Sequence, residues 1–232
     1  MSVEVRRGSG RFVTRAEGRT TRHSLSFGEH YDPENLGFGP MVCHDDHLLR
    51  GGVGFPDHPH RDLEIVTWVL SGAVAHTASV GRPTTVGAGQ VQALSTGSGV
   101  VHSEFADPAS GPTRSVQTWL RPDEPGIAPS YSSATVGEAG DGLVPVASGH
   151  DDGAAVRIGT ASATLYAAVL NAGGSVKLPD DPLQHVFVAT GSLARSSLAE
   201  PLSAGDAFRI SDRPGLSLTA AAPTELLVWS FG

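Results

Sequence analysis

Apolar residues fall along this chain in short runs of strand length, separated by turn-forming residues, and nowhere at helical spacing over a sustained stretch. Such runs occupy Glu64–Leu70, Gly72–Ser79, Val91–Leu94, Val100–Phe105 and Ser115–Leu120 in the first half. In the second half they occupy Ala154–Ile158, Thr164–Leu170, His185–Ala189, Leu193–Ser196, Ala207–Ile210, Leu216–Ala220 and Glu225–Phe231. Arg121–Tyr131, rich in proline and charge, reads as a crossover, and Glu138–Gly142 and Ser148–Gly153 read as loops. The 232 residues include 29 glycines and 16 prolines, a punctuation that suits short strands and turns. The pattern predicts an all-β protein built as a sandwich or barrel.

The two halves echo each other. Val66-Thr67-Trp68-Val69-Leu70-Ser71-Gly72 resembles Val186-Phe187-Val188-Ala189-Thr190-Gly191, and each is followed by a short strand and a turn. The turns are Val86-Gly87-Ala88-Gly89-Gln90 and Leu202-Ser203-Ala204-Gly205-Asp206, where glycine serves a tight hairpin. Repeated units of this kind predict two similar barrels in tandem. The expected division is residues 1–125, then a linker and second barrel over 126–232.

Two triplets carry the chemistry. His58-Pro59-His60 and His102-Ser103-Glu104 each place two metal-ligand side chains at i and i+2, which is one face of a β-strand. Two such strands facing one another inside a barrel would bring His58, His60, His102 and Glu104 to one point. Three imidazoles and a carboxylate suit Fe(II), and also Mn, Ni, Co, Cu or Zn. Glu64 keeps the parity of His60 and stands as a fifth ligand or as a base behind the ligands. Proline resists central strands, so His58-Pro59-His60 alone fits a turn as well; the second triplet is what argues for a metal. Alignment of Gly72 on Gly191 carries His58, His60 and Glu64 onto Lys177, Pro179 and Leu183. Alignment of Gly89 on Gly205 carries His102 and Glu104 onto Leu218 and Ala220. No ligand survives, so the second barrel is expected to be a metal-free copy, with His185 a packed or hydrogen-bonded residue.

Composition narrows the setting. Hydrophobic residues make up 39%, enough for a packed core, and the formal net charge is −8, which argues against direct binding to a nucleic-acid backbone. No apolar run approaches a membrane span, and the first residues lack a signal-peptide apolar stretch. The single cysteine, Cys43, cannot close an internal disulfide and reads as a small buried hydrophobe. A cytoplasmic protein is the expectation. Trp68, Trp119 and Trp229 are expected to fill barrel interiors. His44 and His47, flanking Asp45-Asp46, read as a solvated loop rather than a second metal site, and Asp180-Asp181 as a turn.

Gly52, His58, His60 and Glu64 together resemble the first signature of the cupin superfamily, and the Gly89–His102 segment resembles the second more loosely. The nearer resemblance is to the pirin family. It runs through Asp32-Pro33-Glu34-Asn35-Leu36-Gly37-Phe38, Asp45-Asp46, Gly54-Phe55 and His58-Pro59-His60-Arg61-Asp62-Leu63-Glu64-Ile65-Val66-Thr67. It continues through Gly97-Ser98-Gly99-Val100-Val101-His102-Ser103-Glu104, Gln117-Thr118-Trp119 and Pro129-Ser130-Tyr131. Asp62-Leu63-Glu64-Ile65 is similar to the bacterial branch assigned quercetin 2,3-dioxygenase activity.

This resemblance implies two tandem cupin (double-stranded β-helix, jelly-roll) barrels with one iron-type site on His58, His60, His102 and Glu104. It also implies O2 and a flavonol or related enolic aromatic as reactants, with Glu104 as candidate proton acceptor. Glu64 and His76 are candidates to orient the ligands from behind, or plain structural hydrogen-bonding groups. The family also implies a second reading, a non-catalytic iron-binding regulator that senses redox state and touches a protein partner. The chain departs from the family's usual pattern at Ala78, Gln90, Leu94 and Thr96. None of these is a ligand; they bear on the substrate.

Overall fold

The computed structural model describes residues 2–137, 142–196 and 198–232; of the expected loop at Glu138–Gly142, the first four residues lie outside this range. The chain is all-β and forms two barrels, as the repeats predict. No helix among the described residues is long and apolar enough to cross a membrane.

The barrels interleave in sequence. One compact unit is Phe12–Val136 with Ala155–Ala161; the other comprises the N-terminal segment through Arg11 and everything after Val136 except that short insert. The sequence reading divides the chain at residue 125 instead. Two long-range pairings account for the difference. Ser2–Arg6 adds antiparallel to Ala207–Ser211 of the second unit. Ser130–Thr135, which begins inside the expected crossover, adds to Gln90–Ser95 of the first.

In the first unit the larger sheet has the order Ser130–Thr135, Gln90–Ser95, Glu64–Ser71, Thr113–Leu120, Met41–Leu49, Arg19–His23, Phe12–Ala16. The smaller sheet has the order Gly54–His60, Val100–Ala106, Ala73–Ala78, Thr84–Gly87. The His58-Pro59-His60 segment is therefore an edge strand, where a missing N–H costs no ladder bond. Between His102 and Glu104 the register shifts, so Pro56 and Asp57 bulge opposite Ser103, and a bulge re-aims the side chains that flank it.

The repeat is exact enough to be seen bond by bond. Gly72 and Gly191 both take positive φ, 71° and 74°. A Cβ at either would collide with the threonine behind it, Thr113 or Thr224. Thr113 Oγ1 donates to the Ala73 carbonyl at 2.9 Å and accepts from its N–H at 3.1 Å; Thr224 Oγ1 does the same with Ser192 at 2.9 and 3.0 Å. In the following turns, Gln90 Oε1 accepts from Gly87 N–H at 2.7 Å and Asp206 Oδ2 from Ser203 N–H at 3.0 Å. Gln90 thus does the local work of the turn aspartate that it replaces.

That correspondence also corrects the counting by one residue. His102 faces His58 and Val100 faces His60 across the first edge. In the second unit Leu218 faces Val176, and Leu178 N–H bonds the Leu216 carbonyl. The spatial counterparts of His58 and His60 are therefore Val176 and Leu178, not Lys177 and Pro179, because the loop leading to Leu183 is one residue longer than that leading to Glu64. Val176, Leu178 and Leu218 are 5%, 2% and 2% exposed and belong to one apolar core.

Candidate metal centre

His58 and His60 project from the same side of their edge strand, and His102 from the adjacent strand, so the three imidazoles meet. The two strands are hydrogen-bonded neighbours in one sheet, not strands facing one another across a barrel as the spacing alone suggests. The ring centroids lie 4.8 Å (His58–His60), 4.4 Å (His58–His102) and 5.0 Å (His60–His102) apart. One nitrogen from each lies within 4.8 Å of the others.

Hydrogen bonding fixes which nitrogens face inward. His58 Nδ1 is 2.7 Å from the Pro56 carbonyl, so it carries the proton and leaves the Nε2 lone pair free. His102 Nδ1 meets His76 Nε2 at 3.1 Å. Nε2 of His60 and Nε2 of His102 are buried without a hydrogen-bonding partner, which is costly unless something binds there. Burial first, and neighbouring imidazoles second, push His60 down to about 4 and His102 down to about 3. Burial alone brings His76 to about 4. Neutral rings are what metal ligation requires. A donor set of three converging imidazoles fits a divalent transition ion.

Glu104, 5% exposed, is held differently. Gln92 Nε2 donates to Oε1 at 2.6 Å and Gln117 Nε2 to Oε2 at 2.7 Å. Each amide is itself oriented, Gln92 by the Tyr131 hydroxyl at 3.0 Å and Gln117 by Trp119 Nε1–H at 2.8 Å. Burial raises the Glu104 pKa, while these amides and His58 pull the other way. Neither glutamine stands out in the sequence, since an amide in a strand carries no pattern of its own. Tyr131 also stacks on His76, 4.6 Å between centroids and 9° between planes. Glu64 is buried away from this group: its Oε2 accepts from Ser95 at 2.6 Å and its Oε1 lies against Gly159. Burial raises its pKa.

A cavity of about 390 Å³ opens beside His58 and Glu104, with Phe27, Phe55 and Trp119 among its walls. Trp68 and Trp229 fill interiors as expected, 5% and 1% exposed. Trp119 does not: it is half-buried, with its ring against His60 at 4.7 Å. The segment His44-Asp45-Asp46-His47 is not a solvated loop either. It lies in the Met41–Leu49 strand with all four residues at most 5% exposed. Cross-strand partners reach into it: His23 Nδ1 lies 2.9 Å from Asp45, Thr21 meets His47 Nδ1 at 2.9 Å, and Arg114 grips Asp46 through two 2.9 Å bonds. Cys43 is buried, and burial lifts its thiol pKa, with Asp45 adding to the effect.

Known proteins resemble this chain in sequence and in fold. Residues 4–120 match the Pirin family and residues 145–229 match the quercetinase C-terminal cupin domain. A Mycobacterium tuberculosis protein provisionally named a quercetin 2,3-dioxygenase is 42% identical over 98% of this chain and 94% of its own length. The quercetin 2,3-dioxygenase of Escherichia coli K12 is 40% identical over 47% of each chain. The crystal structure of a bacterial pirin from Escherichia coli in complex with nickel(II) matches with a TM-score of 0.89 at 27% identity, covering 99% of both chains.

Proposed function

The chain belongs to the pirin family, and from that premise we propose that it is a metal-dependent dioxygenase acting on a flavonol or a related enolic aromatic. The site we assign is His58, His60, His102 and Glu104, holding one divalent transition metal. The observation that carries the reading is the cluster of three imidazoles, two of them with a buried nitrogen that has no protein partner, beside an aromatic-walled cavity that His58 lines. Fe(II) is our assignment from the donor set; the related crystal structure contains nickel(II).

When bound, the ion would supply a Lewis acid for an enol oxygen and redox chemistry toward O2. The protein's own part begins with the cavity walls. Phe27, Phe55 and Trp119 fit the faces of a planar ring system and shed water from it. The enol proton goes to a carboxylate oxygen of Glu104, whose burial raises its proton affinity toward that of a working base. The Gln92 and Gln117 amides hold this carboxylate in one orientation, so it does not have to be positioned as the proton moves.

The test pairs metal analysis of anaerobically purified protein with flavonol turnover under O2. Cleavage with O2 uptake is expected. Glu104→Gln should lose more turnover than metal, because its amide oxygen can still face the ion but cannot accept a proton. If flavonols neither perturb the spectrum of the metal-loaded protein nor consume O2 with any first-row divalent ion, the dioxygenase reading fails and a metal-dependent regulatory role takes its place.

A further inference from the structure

The cavity extends past the metal centre to a polar wall that the proposed chemistry leaves unused. Most of that wall is matched within itself. His23 sets Nδ1 on Asp45 and Nε2 on Thr14 Oγ1, both at 2.9 Å, and Thr14 also meets His30 Nε2 at 3.1 Å. His47 is different. Its Nδ1 meets Thr21 Oγ1 at 2.9 Å and its ring stands edge-on to Phe55 at 5.0 Å. Its Nε2 has no hydrogen-bonding partner among the described residues. Yet His47 is only 5% exposed and borders the cavity.

The nitrogen is not sealed off as those of His60 and His102 are, so on a side chain this buried it opens onto the cavity, where a ligand can reach it. Burial lowers the His47 pKa, against the pull of Asp45 and Asp46, so the ring is neutral near pH 7. Thr21 can donate to Nδ1 or accept from it, so Nε2 faces the cavity as donor in one tautomer and acceptor in the other. A hydroxyl is the ligand group that satisfies both. Its place is set by Phe55, which stands between His47 and His58 with ring centroids 5.0 and 6.4 Å away. A ligand chelated at the imidazoles and lying along Phe55 would present its far edge to His47.

We propose that His47 is a specificity-determining residue whose Nε2 hydrogen-bonds a ring hydroxyl of the planar ligand, outside the group that chelates the metal. The inference rests on the reading of the site given above and narrows it to polyhydroxylated aromatics. Apolar walls alone hold the plane of a ring system without fixing its rotation in that plane. One directed hydrogen bond at the far edge does, and a site built to bond a hydroxyl rejects the analogue lacking it.

The experiment compares quercetin with 3-hydroxyflavone, which keeps the chelating oxygens and lacks the other ring hydroxyls. Binding to nickel(II)-loaded protein is followed anaerobically by the ligand's absorbance shift, for wild type, His47→Asn and His47→Gln. Asn keeps a polar atom near the Nδ1 position for Thr21 and offers nothing to the cavity; Gln keeps one near the Nε2 position. Wild type should prefer quercetin by roughly tenfold, the yield of one buried hydrogen bond. His47→Asn should lose that preference, His47→Gln should keep most of it, and 3-hydroxyflavone should bind all three alike. Equal binding of both ligands by wild type, or an undiminished preference in His47→Asn, overturns the assignment while leaving the metal-site reading intact. If neither ligand shifts with wild type, the reading of the site fails and the role of His47 falls with it.

Discussion

Replacing His76 by Phe should weaken metal binding about 10- to 100-fold while the barrel stays folded. His102 can offer Nε2 to an ion only if Nδ1 carries its proton, and the acceptor for that proton is His76 Nε2 at 3.1 Å. Phe keeps an aromatic face for Tyr131 and removes the acceptor together with Nδ1, a buried nitrogen without a partner. With metal bound, the Nδ1–H of His102, a residue 2% exposed, is then stranded, at a cost of about 1–3 kcal/mol. That corresponds to roughly 5- to 150-fold in affinity, which brackets the expected loss. Without metal the lost hydrogen bond is offset by removal of the unpartnered His76 Nδ1, so the apo protein should lose less than about 1 kcal/mol. Competition for nickel(II) against a chromophoric chelator measures the first quantity and urea denaturation of apo protein the second. His76→Gln, which retains an acceptor near the Nε2 position, should recover most of the affinity. A His76→Phe affinity within twofold of wild type would refute the orienting role.

Three further outcomes follow from the same geometry. Metal analysis should find one ion per chain, abolished by His58→Ala or His102→Ala with the barrel retained; two equivalent ions would refute the single-site assignment. Burial alone would raise the Asp206 pKa, but the Gly8 and Ser203 N–H groups and Arg7 outweigh it and hold the carboxyl below its ordinary range. Its contribution is therefore present above the ordinary carboxylate pKa and lost as pH falls through the lowered one. Asp206→Asn should cost about 1–2 kcal/mol at neutral pH and much less once the carboxyl is protonated, and an equal loss in acid would contradict this. His60→Leu should abolish metal binding yet raise apo stability by about 1–2 kcal/mol, because it removes a buried nitrogen without a partner; a less stable folded variant would count against that reasoning.

The histidine cluster of this chain is more legible in the sequence than the pairing of its strands. His58-Pro59-His60 and His102-Ser103-Glu104 announce a site because strand parity converts an i, i+2 spacing directly into a shared face. The glycine turns announce a duplication because Gly72 and Gly191 sit where no Cβ fits. What the sequence conceals is satisfaction by partners. His44-Asp45-Asp46-His47 looks like a solvated loop, yet it is a buried strand, since Thr21, His23 and Arg114 bring matching groups from elsewhere in the chain. The clamp on Glu104 is hidden for the same reason: Gln92 and Gln117 acquire meaning only when two strands far apart in sequence place them on one carboxylate. Ser2–Arg6 could not be assigned to the second barrel because strand pairing at that separation leaves no local trace.

The two barrels answer one packing problem in opposite ways. At equivalent positions the second places Val176, Leu178 and Leu218, whose burial contributes on the order of 1.5–3 kcal/mol each. The first places His58, His60 and His102, and two of the three leave a nitrogen buried without a partner. Nothing about a β-barrel requires that arrangement, as the second barrel shows by doing without it. Stability given up at one cluster, where unpaired imidazole nitrogens converge on one point, is the mark of a functional site. An ion bound only by the folded barrel would return that stability through mass action. The first barrel should therefore gain measurably in unfolding free energy when nickel(II) is added, whereas the equivalent positions of the second, Val176, Leu178 and Leu218, offer the ion no donor atom.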